Sequence, residues 1–220
     1  SSDGTFTKIT GLNIVSDGGN STSSNWEDID NDGDFDLFIA NYANQNNFLY
    51  MNNGDGTFTK VTQGPAVTNG GSSFGSSFGD IDNDGDLDVV VNNIDDPVLV
   101  YKNKTNDKRD KRFVKIALSG PEKNRNAVGA KVVVFANNEI RTYENYPVRG
   151  FQSSMQVPLH IGLDKTNYDS AFLIWPDNTY QPLSFGDSSS VSFMYSKDLP
   201  RFDYKIISTY FKSKTRPMED

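Results

Sequence analysis

One nine-residue pattern occurs twice, 52 residues apart, and constrains this chain more than anything else in it. The first copy is Asp28-Ile29-Asp30-Asn31-Asp32-Gly33-Asp34-Phe35-Asp36, the second Asp80-Ile81-Asp82-Asn83-Asp84-Gly85-Asp86-Leu87-Asp88. Five aspartates in nine residues repel one another and need either full solvation or a cation. Carboxylate and carbonyl oxygens are hard donors, and Ca²⁺ takes about 6–8 of them at about 2.3–2.6 Å. In the spacing D-x-D-x-D-G-x-x-D, alternate side chains converge on one point while the glycine carries the backbone through a sharp turn. Positions one, three, five and nine are therefore expected as side-chain ligands: Asp28, Asp30, Asp32 and Asp36 in one loop, Asp80, Asp82, Asp84 and Asp88 in the other. Asp34 and Asp86, at position seven, are expected to offer their main-chain oxygen. The expectation is two Ca²⁺ sites.

An EF-hand begins in the same way but needs a bidentate Glu at position twelve and a helix on each side. Position twelve here is Ile39 or Val91, inside apolar, β-branched runs that read as buried strands. Thrombospondin-type calcium repeats depend on disulfides, and this chain has no cysteine. The same absence removes Cys-bound zinc and thiol catalysis. A net charge of −8 leaves no basic stripe for phosphates, so nucleic acid is not an expected partner. Ten of the 29 acidic residues lie in the two loops, and two bound Ca²⁺ would bring −8 to −4. No run of 18 apolar residues occurs, so no transmembrane helix is expected.

The repeat extends beyond the aspartate loops. Asp3-Gly4-Thr5-Phe6-Thr7-Lys8-Ile9-Thr10 matches Asp55-Gly56-Thr57-Phe58-Thr59-Lys60-Val61-Thr62, and Trp26 aligns with Phe78. A period near 50 residues points to propellers, solenoids or arrays. One period holds four short strands, at about 57–62, 74–81, 87–92 and 98–103, with Asn53-Gly54-Asp55-Gly56 as turn chemistry. Four antiparallel strands per repeat make a β-propeller blade, and two blades cannot close a ring. The remaining blades are expected from a longer polypeptide, of which 220 residues would be a part.

These residues resemble the FG-GAP/VCBS repeats of integrin-type propellers, over residues 1 to about 104. The resemblance implies Ca²⁺ held in the turn between two strands of each blade. Asn103 to Lys111 then turns polar and charged and reads as a linker. Beyond it come Asn124-Arg125-Asn126-Ala127-Val128-Gly129-Ala130, a Gly150-Phe151-Gln152-Ser153 run, His160-Ile161-Gly162-Leu163 and Ile174-Trp175-Pro176-Asp177. In that order they resemble the ASPIC/UnbV domain, which follows VCBS repeats in the cartilage acidic protein family and in many bacterial surface proteins. Asn178 stands where a glycine would be usual, so that hairpin is expected to differ. The fold expected is all-β: two four-stranded propeller blades over 1–107, a small β domain over 108–198, and the start of a following segment, with strand-like aromatic pieces, over 199–220.

Two G-x-S-x-G matches, Gly71 to Gly75 and Gly75 to Gly79, satisfy the nucleophile-elbow pattern, which needs a following helix and a histidine base. An aspartate loop follows instead, and His160 is the one histidine. No enzymatic activity is expected. Trp26, aligned with Phe78, is expected in the core; Trp175, beside an exposed turn, is a candidate sugar-stacking platform. Asn20-Ser21-Thr22 and Asn103-Lys104-Thr105 match the glycosylation sequon by pattern. The function expected is calcium-stabilised binding of a glycan or protein ligand, or adhesion, by an extracellular or outer-membrane-associated surface protein. The alternative is an accessory or catalytic subunit of a surface enzyme or uptake complex whose active groups lie elsewhere.

Overall fold

The computed structural model describes residues 5–105, 111–136, 139–148, 151, 154–155, 158–163 and 168–214. The chain divides into two units: Ser1–Asp30 with Asp34–Thr105 and Arg149–Ser154, and Asn31–Gly33 with Asn106–Val148 and Met155–Asp220. Residues 106–110 of the linker expected over Asn103 to Lys111, and most of the Gly150–Ser153 motif, lie outside the described residues. Among the described residues no helix is long and apolar enough to cross a membrane.

The first unit repeats its backbone as the sequence repeats its residues. A helical turn, α1 (Asn13–Ser16), precedes β1 (Ser21–Glu27), β2 (Asp36–Asn41), β3 (Phe48–Asn52) and β4 (Phe58–Lys60), an antiparallel sheet in that order. The equivalent turn α2 (Pro65–Thr68) precedes β5 (Ser73–Gly79), β6 (Asp88–Asn93) and β7 (Leu99–Tyr101). The second strands, β2 and β6, carry Leu37-Phe38 and Val89 with Val91, apolar residues suited to a pleated surface covered on both sides. Phe38 meets Phe78 edge to face at 5.7 Å, in a cluster with Ile29, Ala40, Leu87, Val89 and Val91. Polar ties join the two sheets as well: Thr22 Oγ1 donates to the Ser73 carbonyl at 2.9 Å, and Ser76 Oγ to Asn25 Oδ1 at 2.5 Å.

Three expectations change here. The first sheet has four strands, but among the described residues the second has three, because the Asp-Gly-Thr-Phe strand closes the sheet before it: β4 pairs with β3. The copy of that strand at residues 5–10 forms no strand, and Phe6 is fully exposed. Trp26 is 46% exposed, edge-on to Phe58, whereas its counterpart Phe78 is buried. Ser21 and Ser24 are likewise exposed where Ser73 and Ser76 are buried. The face of β5 is covered by the sheet of the preceding repeat. Among the described residues of this unit, the same face of β1 has no such cover.

The second unit is a β domain. β8 (Phe113–Ser119) lies between β11 (Leu159–Gly162), antiparallel to it, and β14 (Ser190–Met194), parallel to it. A four-stranded antiparallel sheet runs in the order β10 (Glu139–Glu144), β9 (Lys131–Ala136), β12 (Ser170–Ile174), β13 (Tyr180–Leu183). Val132 through Ala136 are all buried, so β9 is covered on both faces. On one face Val133, Phe135 and Ile174 pack with Phe202, Ile207 and Tyr210. Residues 205–214 thus form a helix, α3 (Lys205–Lys214), rather than the strand-like pieces expected. Ile207 and Tyr210 are three apart, the spacing that brings side chains onto one face. Asn178 takes φ +65°, the left-handed conformation usual for glycine and tolerated by asparagine. Its amide donates to the Trp175 carbonyl at 2.9 Å and closes the turn. Trp175 itself is 1% exposed and edge-on to Tyr195 at 5.5 Å, so it is a core residue and not a stacking platform.

Candidate metal centres

Each aspartate loop is the connection of a β-hairpin: β1 to β2, then β5 to β6. The backbone follows the same course in both. Asn31 and Asn83 sit at φ 59° and 64°, and Gly33 and Gly85 both at 94°. Asparagine and glycine are the residues that take left-handed conformations at least cost, so positions four and six set the turn around which the aspartates at positions one, three and nine converge.

The position-nine aspartates open β2 and β6 and bind the hairpin together. The Ile29 amide donates to Asp36 Oδ2 at 2.9 Å and the Asn52 amide to Oδ1 at 2.8 Å. The second loop repeats this, with Ile81 to Asp88 Oδ2 at 2.9 Å and Asn103 to Oδ1 at 2.7 Å. Each carboxylate therefore clasps the loop entry to the end of the third strand. Asn52 Nδ2 also donates to the Phe35 carbonyl, and Asn103 Nδ2 to the Ile29 and Leu87 carbonyls. The Asn103 amide of the sequon match is thus used in the fold. These asparagines were not singled out from the sequence. Their signal is the pair Tyr50-Met51-Asn52 and Tyr101-Lys102-Asn103, repeated at 51 rather than 52 residues and so out of frame with the loops.

Three carboxylates gather in each loop. One oxygen each from Asp28, Asp30 and Asp36 lies within 4.8 Å of the others, and Asp80, Asp82 and Asp88 do the same. Asp28, Asp36 and Asp88 are buried, which charged side chains seldom are unless paired or metal-bound. The donor set is all oxygen, suited to a hard cation. These aspartate clusters could hold a metal ion. Positions five and seven lie outside the two gathered triads. Asp32 and Asp34 are half-buried, Asp86 is buried, and Asp84 Oδ1 accepts from the Asp86 amide at 3.0 Å.

The second loop takes a charged neighbour from just past its third strand. Lys102 pairs with Asp82 and, at 3.1 Å, with Asp84. Hydrogen bonding from Lys102 holds the Asp82 carboxyl below its ordinary range, and the same bond pushes the lysine upward. The residue before Asn52 in the first repeat is Met51.

The serines of the nucleophile-elbow matches, Ser73 and Ser77, fall on strand β5, where buried Ser73 donates to Asn93 Oδ1 at 2.9 Å. His160, on β11, is stacked on Phe113 at 5.3 Å.

Comparison with protein families gives two matches. The FG-GAP-like repeat model matches residues 28–91, spanning both aspartate loops, and the ASPIC and UnbV model matches residues 120–185. No curated protein matches the chain.

Proposed function

We propose that this chain, an FG-GAP repeat protein with an UnbV domain, works by binding, as a calcium-stabilised part of a larger surface or secreted propeller. The observation that carries the reading is the recurrence of one carboxylate triad, on one backbone course, in two successive repeats. Asp28, Asp30 and Asp36 would hold one Ca²⁺, and Asp80, Asp82 and Asp88 the other. When bound, such an ion would supply positive charge to loops whose own carboxylates repel, and the loop oxygens would coordinate it. Asp32, Asp34, Asp84 and Asp86 are within the same loops and would complete the coordination. Rigid loops on a sheet scaffold are the usual means of presenting a binding surface, and a glycan or protein ligand is the class this surface would take.

The exposed Trp26 face of β1 supports the further blades. It marks a place where another repeat would pack as the first repeat does on the second. The metal reading is tested by titrating CaCl₂ into EDTA-stripped protein by calorimetry. About two sites are expected, one lost in Asp30→Ala and the other in Asp82→Ala. Absence of heat in the unsubstituted protein refutes it.

A further inference from the structure

The strand that completes the first sheet is written twice in this chain. Asp55 to Thr62 supplies β4, which pairs antiparallel with β3: Tyr50 opposite Lys60, Met51 opposite Thr59, Asn52 opposite Phe58. The Val61 amide extends the ladder, donating to the Leu49 carbonyl at 2.8 Å. Asp3 to Thr10 is the same sequence but for Ile9 in place of Val61, and its described part, residues 5–10, forms no strand. Phe6 and Ile9 in it are exposed. The second sheet ends on β7, whose outer edge has no partner strand among the described residues. Val100 on that strand and Val98 just before it are exposed as well. An open edge of this kind is a template for a further strand. A second pair of surfaces matches in the same frame. Where the two sheets of the first unit meet, Phe78 of β5 packs on buried Phe38 of β2. One period earlier Phe78 corresponds to Trp26, which is exposed; one period later Phe38 corresponds to Val90, which is only half-buried. Asn92, the counterpart of buried Ala40, is exposed. The outward faces of the two repeats are thus the two halves of the contact that already joins them.

We infer that this chain associates head to tail with a second copy of itself. Residues 6–10 of one copy pair with β7 of the other, Lys8 opposite Tyr101 and Ile9 opposite Val100, and Trp26 of the first copy packs on Val90 of the second. The contact repeats between copies the join between the β1–β4 and β5–β7 sheets. Such an interface is heterologous, so successive copies close a ring or extend an array. The inference rests on the reading of residues 1–105 as propeller repeats, takes the next sheet from another copy, and does not depend on the metal.

Sedimentation velocity of the full chain in calcium should show a mass that rises with protein concentration. Thr7 corresponds to Thr59, two residues before Val61 and so facing the partner strand in the same way. Thr7→Pro removes that amide from a segment belonging to no strand of its own chain, and should weaken association about tenfold without changing the circular dichroism. The register is tested by cross-linking, since the chain has no cysteine of its own. One copy carrying Ile9→Cys is mixed with another carrying Val100→Cys and oxidised; Cα atoms across a hydrogen-bonded antiparallel pair lie about 5.5 Å apart, within disulfide reach. The mixed dimer should form in higher yield than from Ile9→Cys with Met194→Cys, an exposed position on β14. A monomer at every concentration, association untouched by Thr7→Pro, or a mixed dimer no more abundant than the Met194 control overturns the inference, and none of these results bears on the calcium titration of the carboxylate triads.

Discussion

Asp36→Ala separates what the aspartate does as a clasp from what it does as a ligand. The carboxylate is 1% exposed and accepts two backbone amides, from Ile29 at 2.9 Å and Asn52 at 2.8 Å. Hydrogen bonds to a charged group contribute about 1.5–3 kcal/mol each, so losing both costs about 3–6 kcal/mol. Without metal, one opposing effect is worked from the same geometry. Asp36 lies within 4.8 Å of Asp28 and Asp30, and removing a like charge at that distance relieves about 1 kcal/mol per neighbour in a water-like medium. The net expectation in EDTA is a loss of about 1–4 kcal/mol. For a unit of roughly 100 residues that lowers the melting temperature by about 4–20 °C, measured by scanning calorimetry. Calcium should widen the gap, since the variant also loses a ligand. Asp36→Asn should recover part of the loss, because it keeps one acceptor. If Asp36→Ala melts with the unsubstituted protein in EDTA and falls behind only in calcium, the clasp contributes nothing and the reasoning fails.

Two other expectations follow from the first unit. Phe38→Ala removes the ring that packs on Phe78 between the two sheets, and should cost about 3–5 kcal/mol in urea unfolding; a loss under 1 kcal/mol would mean that the sheets are not held by that contact. Asp17 is held below its ordinary pKa, first by a hydrogen bond from Lys60 and then by one from Tyr50. A lowered folded pKa contributes stability that is fully present above the unfolded value of about 3.9 and is lost as pH falls through the folded one. Asp17→Asn should therefore melt lower at pH 7, and the difference should close below about pH 4; a difference constant with pH would assign the effect to packing.

What the sequence shows well is what depends on local chemistry. The 52-residue period, the two loops and the strands expected near 74–81 and 87–92 appear as β5 and β6, because glycine, asparagine and alternating apolar residues act within a few positions of themselves. The ASPIC/UnbV resemblance was likewise readable from short motifs. Burial was not. Trp26 and Phe78 share a place in the repeat and a strand direction, yet one faces solvent and the other Phe38, since burial depends on the sheet stacked alongside. Trp175 failed in the other direction: a turn beside it suggested exposure, while Tyr195, 20 residues on, covers it. The strand of residues 58–60 was read correctly as a strand but assigned to the wrong sheet, because pairing partners lie outside the window that periodicity sees. Lys102 and the clasping asparagines were missed for a related reason. They come from the third strand and reach the loop across the sheet, out of register with the repeat by one residue.

The central claim is that the two carboxylate triads are calcium sites. Crystals grown in calcium, with diffraction recorded where calcium scatters anomalously, test it most directly. The account predicts two anomalous peaks, one about 2.3–2.6 Å from carboxylate oxygens of Asp28, Asp30 and Asp36, the other at the same distance from those of Asp80, Asp82 and Asp88. No peak at either loop, or peaks only at other acidic residues, would contradict it.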